Sequence, residues 1–137
     1  MSTTSKIEVG QDLPPLTLPA VNRTTLALFA GASGDHNPVH IDIDFARKAG
    51  MPDVFAHGML GMAWMCRLLT QWVPQSRLRK VDARFAGITQ AGHVITCRGK
   101  VAEIVEHQGE RCARVEVSTT NQYGQVRIAG EALVALA

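Results

Sequence analysis

The sequence predicts an α+β fold: a long antiparallel sheet wrapped around one buried helix. Three observations lead there. The segment His57 to Trp72 is apolar almost all round, interrupted only by Arg67, Thr70 and Gln71. A helix without a polar face is buried on most of its sides. After about Gln75 the chain changes character and alternates apolar with polar residues, the period of a half-buried strand. The lengths also agree. The helix spans about 24 Å, strands of eight to ten residues span roughly 26–33 Å, and one such helix can lie across such a sheet. Periodicity alone does not single out this arrangement.

The elements follow in order. Asp12 to Ala20 carries Pro14, Pro15 and Pro19. Proline fixes φ and removes a donor, so this segment reads as an edge strand or a covering arm. Asn22 or Thr24 caps a short helix from Thr25 to Ala32, with Leu26, Phe29 and Ala30 on one face. Asp42 or Asp44 starts a second short helix, ending at Gly50 with Lys48 in its last turn. Pro74 closes the long buried helix. Val81, Ala83 and Phe85 then alternate with Asp82 and Arg84. Val94 to Glu106 is β-rich, and its alternation changes phase near Gly99, which predicts a bulge there. Arg111 to Thr120 sets Ala113, Val115 and Val117 against Arg114, Glu116 and Ser118. Val126, Ile128, Val134 and Leu136 share one parity in a last strand. Gln108-Gly109 and Tyr123-Gly124 are the turns between these segments.

The 137 residues suit a single domain, expected over 1–137. A hydrophobic share of 46% against 19% charged excludes intrinsic disorder. Lys+Arg of 14 against Asp+Glu of 12 gives a net charge of +2, too small a surplus for a nucleic-acid binder. Cys66, Cys97 and Cys112 have no CxxC spacing and read as free thiols in a reducing compartment. The opening MSTTSKIEVGQDLPP carries no apolar run, so no signal peptide is expected. No stretch free of Asp, Glu, Lys and Arg is longer than the 13 residues of Val54 to Cys66, short of the roughly 20 a spanning helix needs. The expectation is a soluble, cytoplasmic protein without membrane association.

The most informative stretch is Gly34-Asp35-His36-Asn37-Pro38-Val39-His40. It packs a carboxylate, two imidazoles and an amide into a few residues. Pro38 forbids a regular helix through it. His36 and His40 are therefore no i, i+4 pair on one helical face, and no metal site is expected. Asp, Asn and Gly are turn formers, so one reading is a plain turn. The other is an acid–base site, in which a carboxylate and an imidazole hold a water between them and move its protons. Ala56-His57-Gly58-Met59-Leu60 marks the start of the buried helix. The first turn of a helix leaves N–H groups unpaired, and glycine lets a ligand approach them. Such donors stabilise an oxyanion; a simple helix start, with Gly58 chosen for packing, is the alternative.

Ala32-Ser33-Gly34-Asp35-His36-Asn37-Pro38-Val39-His40, followed by His57-Gly58-Met59-Leu60, resembles the MaoC-like (R)-specific enoyl-CoA hydratases and the related 3-hydroxyacyl-ACP dehydratase subunits. The resemblance covers nearly the whole chain. It implies a hot-dog fold, with the sheet wrapped around His57–Trp72. It implies that Asp35 and His40 are the catalytic pair, activating a water that adds to C3 of a trans-2-enoyl thioester while C2 receives a proton. Asn37 is implied to support them, and the Gly58 N–H to bind the thioester oxygen, where enolate-like charge develops. His36 falls at a variable position of the pattern. The loop Ala86 to Gly92 lacks a proline that relatives usually carry at the substrate entrance. Cys66 reads as a small core residue.

The implied substrates are acyl groups on CoA or on an acyl carrier protein, and no cofactor is implied. Arg77, Arg79, Lys80 and Arg84 follow the buried helix and form a basic cluster. They read either as a contact for phosphates or an acidic carrier, or as a solvated strand face. A homodimer is expected, because a lone sheet leaves an edge open; a heterodimer with a second hot-dog chain is the other form. Two further functional readings are a non-catalytic subunit shaping a partner's acyl pocket and a hot-dog thioesterase. Intact Asp35, Asn37 and His40 count against the first. The second wants a carboxylate on the buried helix, and His57 to Trp72 contains none.

Overall fold

The computed structural model describes residues 6–136. Residues 1–5 of the opening stretch read for a signal peptide, and Ala137 of the expected domain, lie outside them. The elements are β1 (Leu16–Thr17), α1 (Arg23–Ser33), a 3-10 turn (Pro38–His40), α2 (Ile43–Lys48), α3 (Gly58–Trp72), a second 3-10 turn (Gln75–Arg77), β2 (Leu78–Phe85), β3 (Thr96–His107), β4 (Glu110–Thr120) and β5 (Val126–Ala135). The five strands form one sheet in the order β1-β3-β4-β5-β2, with every pairing antiparallel. The sheet packs against α3, so the helix-within-sheet arrangement expected from the sequence is present.

The core is the seam between them. Met65, Leu68, Leu69 and Trp72 of α3 meet Cys97, Val101, Val115, Val117, Ile128 and Val134 of the sheet, and Ile95 just before β3. Each fully buried aliphatic side chain contributes roughly 1.5–3 kcal/mol relative to exposure. A smaller cluster of Val21, Leu26, Ala46, Val54, Ala56 and Leu60 packs α1 and α2 against the N-terminal end of α3. Helix α3 is not covered all round, however. Met59 is exposed, while Leu60, Gly61, Met65, Leu68, Leu69 and Trp72 are buried.

Local chemistry decides the ends. Asn22 is the N-cap of α1, its side chain accepting from the Thr25 N–H, and Gly34 ends the helix at φ 81°, its N–H returning to the Ala30 carbonyl. Asp42 caps α2 by accepting from the N–H groups of Asp44 and Phe45. The proline-bearing arm is an edge strand: Leu16 and Thr17 pair with Cys97 and Thr96. The bulge in β3 falls between Val101 and Glu103, past the expected position near Gly99. Gly99 is an inward position with no side chain; a Cβ there would stand 3.0 Å from Leu13 and 3.4 Å from Leu68. The arm and the helix fill that place, so the pattern breaks in sequence before the backbone does. The three cysteines are unbridged, and burial pushes the Cys97 thiol up to about 11.

Two glycines differ sharply in what surrounds them. A Cβ at Gly130 would run into the Asp82 carbonyl of the neighbouring strand, whereas one at Gly31 on α1 would meet nothing within 4 Å. Gly130→Ala should therefore lower stability by about 1–3 kcal/mol through overpacking. Gly31→Ala should raise it by roughly 0.4–1 kcal/mol by restricting the unfolded chain. Urea unfolding of the two variants beside the parent checks both signs.

Candidate active site

The loop between α1 and α2 is built by a relay of side-chain-to-backbone bonds. Ser33 Oγ accepts from the Asp35 N–H, Asp35 Oδ1 from the Asn37 N–H, and Asn37 Oδ1 from the Val39 N–H. Each is a short-range bond that competes with helix and favours a turn. Pro38 does not exclude all helix. It opens a single 3-10 turn, Pro38–His40, at the first position, where its missing N–H costs nothing. This turn points His40 inward, and the residue is buried.

His40 Nδ1 lies 2.8 Å from the Phe55 carbonyl oxygen. A carbonyl only accepts, so Nδ1 carries the proton and donates. In the neutral ring Nε2 then holds the free lone pair. That atom lies 4.0 Å from Asp35 Oδ2, whose carboxylate is half exposed. Two acceptors at this separation do not bond to each other; the spacing suits a single water donating one hydrogen to each.

His57 completes the cluster. Its Nε2 lies 3.1 Å from the Asp35 backbone oxygen and donates to it by the same logic. Its ring stacks on that of His40, with centroids 3.8 Å apart, and receives the edge of Phe29 at 4.9 Å. His57 Nδ1 is buried without a hydrogen-bond partner among the described residues. In the sequence His57 stands out only as part of the motif that opens the buried helix. One signal was available: histidine stands at the N-cap, where Ser, Thr, Asp or Asn is preferred, and makes no capping bond.

Asp35, His40 and His57 bring donor atoms within 4.8 Å of one another, a grouping that the His36–His40 argument did not foresee. It suits a metal poorly. One nitrogen of each ring is spent on a carbonyl, and His57 Nδ1 is enclosed. One imidazole nitrogen and one carboxylate remain open, below the three protein ligands usual for catalytic zinc.

Gly58 begins α3 and lines a cavity of about 320 Å³, together with Phe55, Ala56, His57, Gly61, Phe85, Ile128 and the loop from Ala86 to Thr89. A Cβ on Gly58 would stand 3.2 Å from Phe85, and one on Gly61 3.0 Å from Ile128 Cδ1. These two glycines leave room at the cavity wall. Asp35, Asn37 and His40 lie beyond His57 and do not line this cavity.

Residues 5–123 match the family described as MaoC like domain. The chain belongs to this family. The MaoC-like domain is 28% identical over 130 residues to the fatty acid synthase subunit beta of Saccharomyces cerevisiae, covering 93% of this chain and 6% of that one. It is 28% identical over 116 residues to the (R)-specific enoyl-CoA hydratase of Rhodospirillum rubrum, covering 83% and 78%. The solved R-hydratase PhaJ1 of Pseudomonas aeruginosa is similar at a TM-score of 0.83 and 28% identity, over 96% of this chain and 84% of that one. The shared architecture is the hot-dog fold. The domain spans only 6% and 4% of the first two synthase subunits it matches. No helix among the described residues is long and apolar enough to cross a membrane.

The basic cluster does not converge on this cavity. Arg77 donates to the carbonyls of Ala135 and Leu136, Arg79 pairs with Glu110, and Lys80 with Asp82. Arg84 lies on a groove of the sheet with Glu116 and Glu131. The cation beside the cavity is Arg127, which no sequence pattern marked. Its Nη1 donates to the Ile88 carbonyl, and its own carbonyl accepts from the N–H groups of Ala86 and Gly87.

The same loop rests on His93, a buried ring whose Nδ1 accepts from the Gln90 N–H. Burial first, and the Arg127 charge second, hold its imidazole below the usual histidine range. The folded state thus favours neutral His93. Above roughly pH 6.5 both states are neutral and stability is full. As the pH falls from there, the unfolded chain takes up the proton first, and stability declines until the folded pKa is passed. Urea midpoints should therefore drop between pH 7.5 and 5.5, and drop less in His93→Asn, whose Oδ1 can still accept from Gln90.

Proposed function

We propose that the chain is a hydro-lyase interconverting trans-2-enoyl and (R)-3-hydroxyacyl thioesters. The observation that carries this reading is the separation of 4.0 Å between the bare His40 Nε2 and the Asp35 carboxylate. A water donating to both has its lone pairs free to attack an electrophilic carbon. In the hydration direction the water oxygen bonds to C3, and one of its protons passes to the Asp35–His40 pair. The C2–C3 π electrons move toward the thioester, and the charge on its oxygen is met by the Gly58 N–H at the start of α3. A donor already in place stabilises that charge more than the ground-state carbonyl. The proton then goes from the pair to C2. Asn37 supports the pair by holding the turn. The names of the Rhodospirillum hydratase and of the Pseudomonas R-hydratase agree with this chemistry.

The cavity also supports a size preference. About 320 Å³ is near the bottom of the range for ligand pockets, roughly 300–1,000 Å³. Ile128 over Gly61 closes its inner wall, so we assign it a short acyl group. CoA and acyl carrier protein share the arm that would enter. Any contact of the basic cluster with a phosphate or an acidic carrier we assign to Arg84, whose guanidinium has no ion pair or hydrogen bond among the described residues. A second copy of the chain is the partner we propose for the β2 edge, which has no neighbour in the sheet.

His40→Asn keeps a donor for the Phe55 carbonyl and removes the base, while Asp35→Asn keeps size and removes the charge. Each should cost about 10²–10⁴ in kcat for hydration of crotonyl-CoA. The double variant should be little worse than either, because the two act on one water. Near-parental rates in folded single variants would remove the pair from the mechanism.

The parent enzyme should hydrate four-carbon enoyl-CoA at least about tenfold more efficiently than eight-carbon. Ile128→Ala should narrow that ratio, since each methylene in an apolar pocket is worth about 10-fold or more. Comparing kcat/KM for the two substrates in both proteins checks this.

A further inference from the structure

We propose that His57 is a positioning residue that sets the acid–base pair against the oxyanion donor. The inference rests on the hydratase reading above. The two halves of the site come from different parts of the chain. Asp35 and His40 sit on the loop after α1, and Gly58 opens α3. His57 touches both halves. Its backbone leads directly into the Gly58 N–H. Its Nε2 donates to the Asp35 carbonyl at 3.1 Å, and its ring lies against His40 at 3.8 Å.

This link is rigid for stated reasons. The residue is 2% exposed, and its ring also meets Phe29 in a T-shaped contact. Its only hydrogen bond among the described residues is the one to Asp35, because Nδ1 has no partner. An enclosed polar nitrogen left unpaired is costly, and a phenylalanine would fill the same slot without that cost. What the imidazole supplies beyond a phenylalanine is the N–H directed at Asp35. Reacting groups misplaced by about 1 Å lose on the order of 10² in rate. The bond therefore governs how far the activated water stands from the thioester.

The test compares two substitutions. His57→Phe keeps a ring for the stack and removes the donor. His57→Gln places an N–H at the reach of Nε2 and removes the ring. With crotonyl-CoA, His57→Phe should lower kcat by about 10–10² with KM within about threefold, and His57→Gln should restore most of that loss. A second readout does not depend on turnover. The His36 amide shares its peptide group with the Asp35 carbonyl, so its NMR signal should move in His57→Phe and return toward the parent position in His57→Gln. A His57→Phe protein with parental kcat and an unmoved His36 amide overturns the proposal. So does a parallel fall of kcat and melting temperature in both variants, which would make His57 a packing residue. A parent protein without turnover defeats the hydratase reading, and the amide comparison still decides whether His57 holds Asp35.

Discussion

Helix α3 has to bury Met65, Leu68, Leu69 and Trp72, and the sheet is the surface that takes them. Close packing of that seam leaves no freedom to slide the helix along its axis. Because the helix begins at Gly58, burying its middle also fixes where its first N–H groups stand. The cavity at that end exists for the same reason. Gly58 and Gly61 withhold side chains where Phe85 and Ile128 come close.

The second constraint is the supply of carbonyl oxygens. Phe55 and Asp35 each present a backbone acceptor to a histidine, and each thereby selects which nitrogen carries the proton. The consequence for His40 is chemical, since the lone pair is left on the side of the Asp35 carboxylate. For His57 it is mechanical, since the same kind of bond ties one chain segment to another. Neither effect requires a charged residue to be buried: Asp35 keeps its carboxylate half exposed, which avoids the heavy cost of an enclosed, unpaired charge.

The rim of the site is held by longer-range contacts. Arg127 on β5 gathers the loop from Ala86 to Ile88, and His93 accepts from Gln90 just beyond it. The arginines that cluster in sequence after α3 mostly serve the fold, bracing the end of β5 or pairing across strands. A run of cations along a chain says little about a shared target, because neighbours on a strand point to opposite faces.

What the sequence by itself determined is what short-range chemistry decides. A cap at Asn22 or Thr24, another at Asp42 or Asp44, and the apolar run from His57 to Trp72 that the sheet must cover are all legible there, and the structure selects Asn22 and Asp42. Asp35, Asn37 and His40 were legible for the same reason, since they lie within a few residues of one another and share a turn. The bulge was legible as a break in alternation but was placed too early, because Leu13 and Leu68 fill the inward position at Gly99 from outside the strand. Only the tertiary structure decided the rest. The stack of His57 on His40, the Phe55 carbonyl that fixes the His40 tautomer, and Arg127 over the cavity loop all join residues separated by 15 or more positions. No periodicity or spacing records such pairs, because they are set by how the burial of α3 folds distant segments onto its N-terminal end.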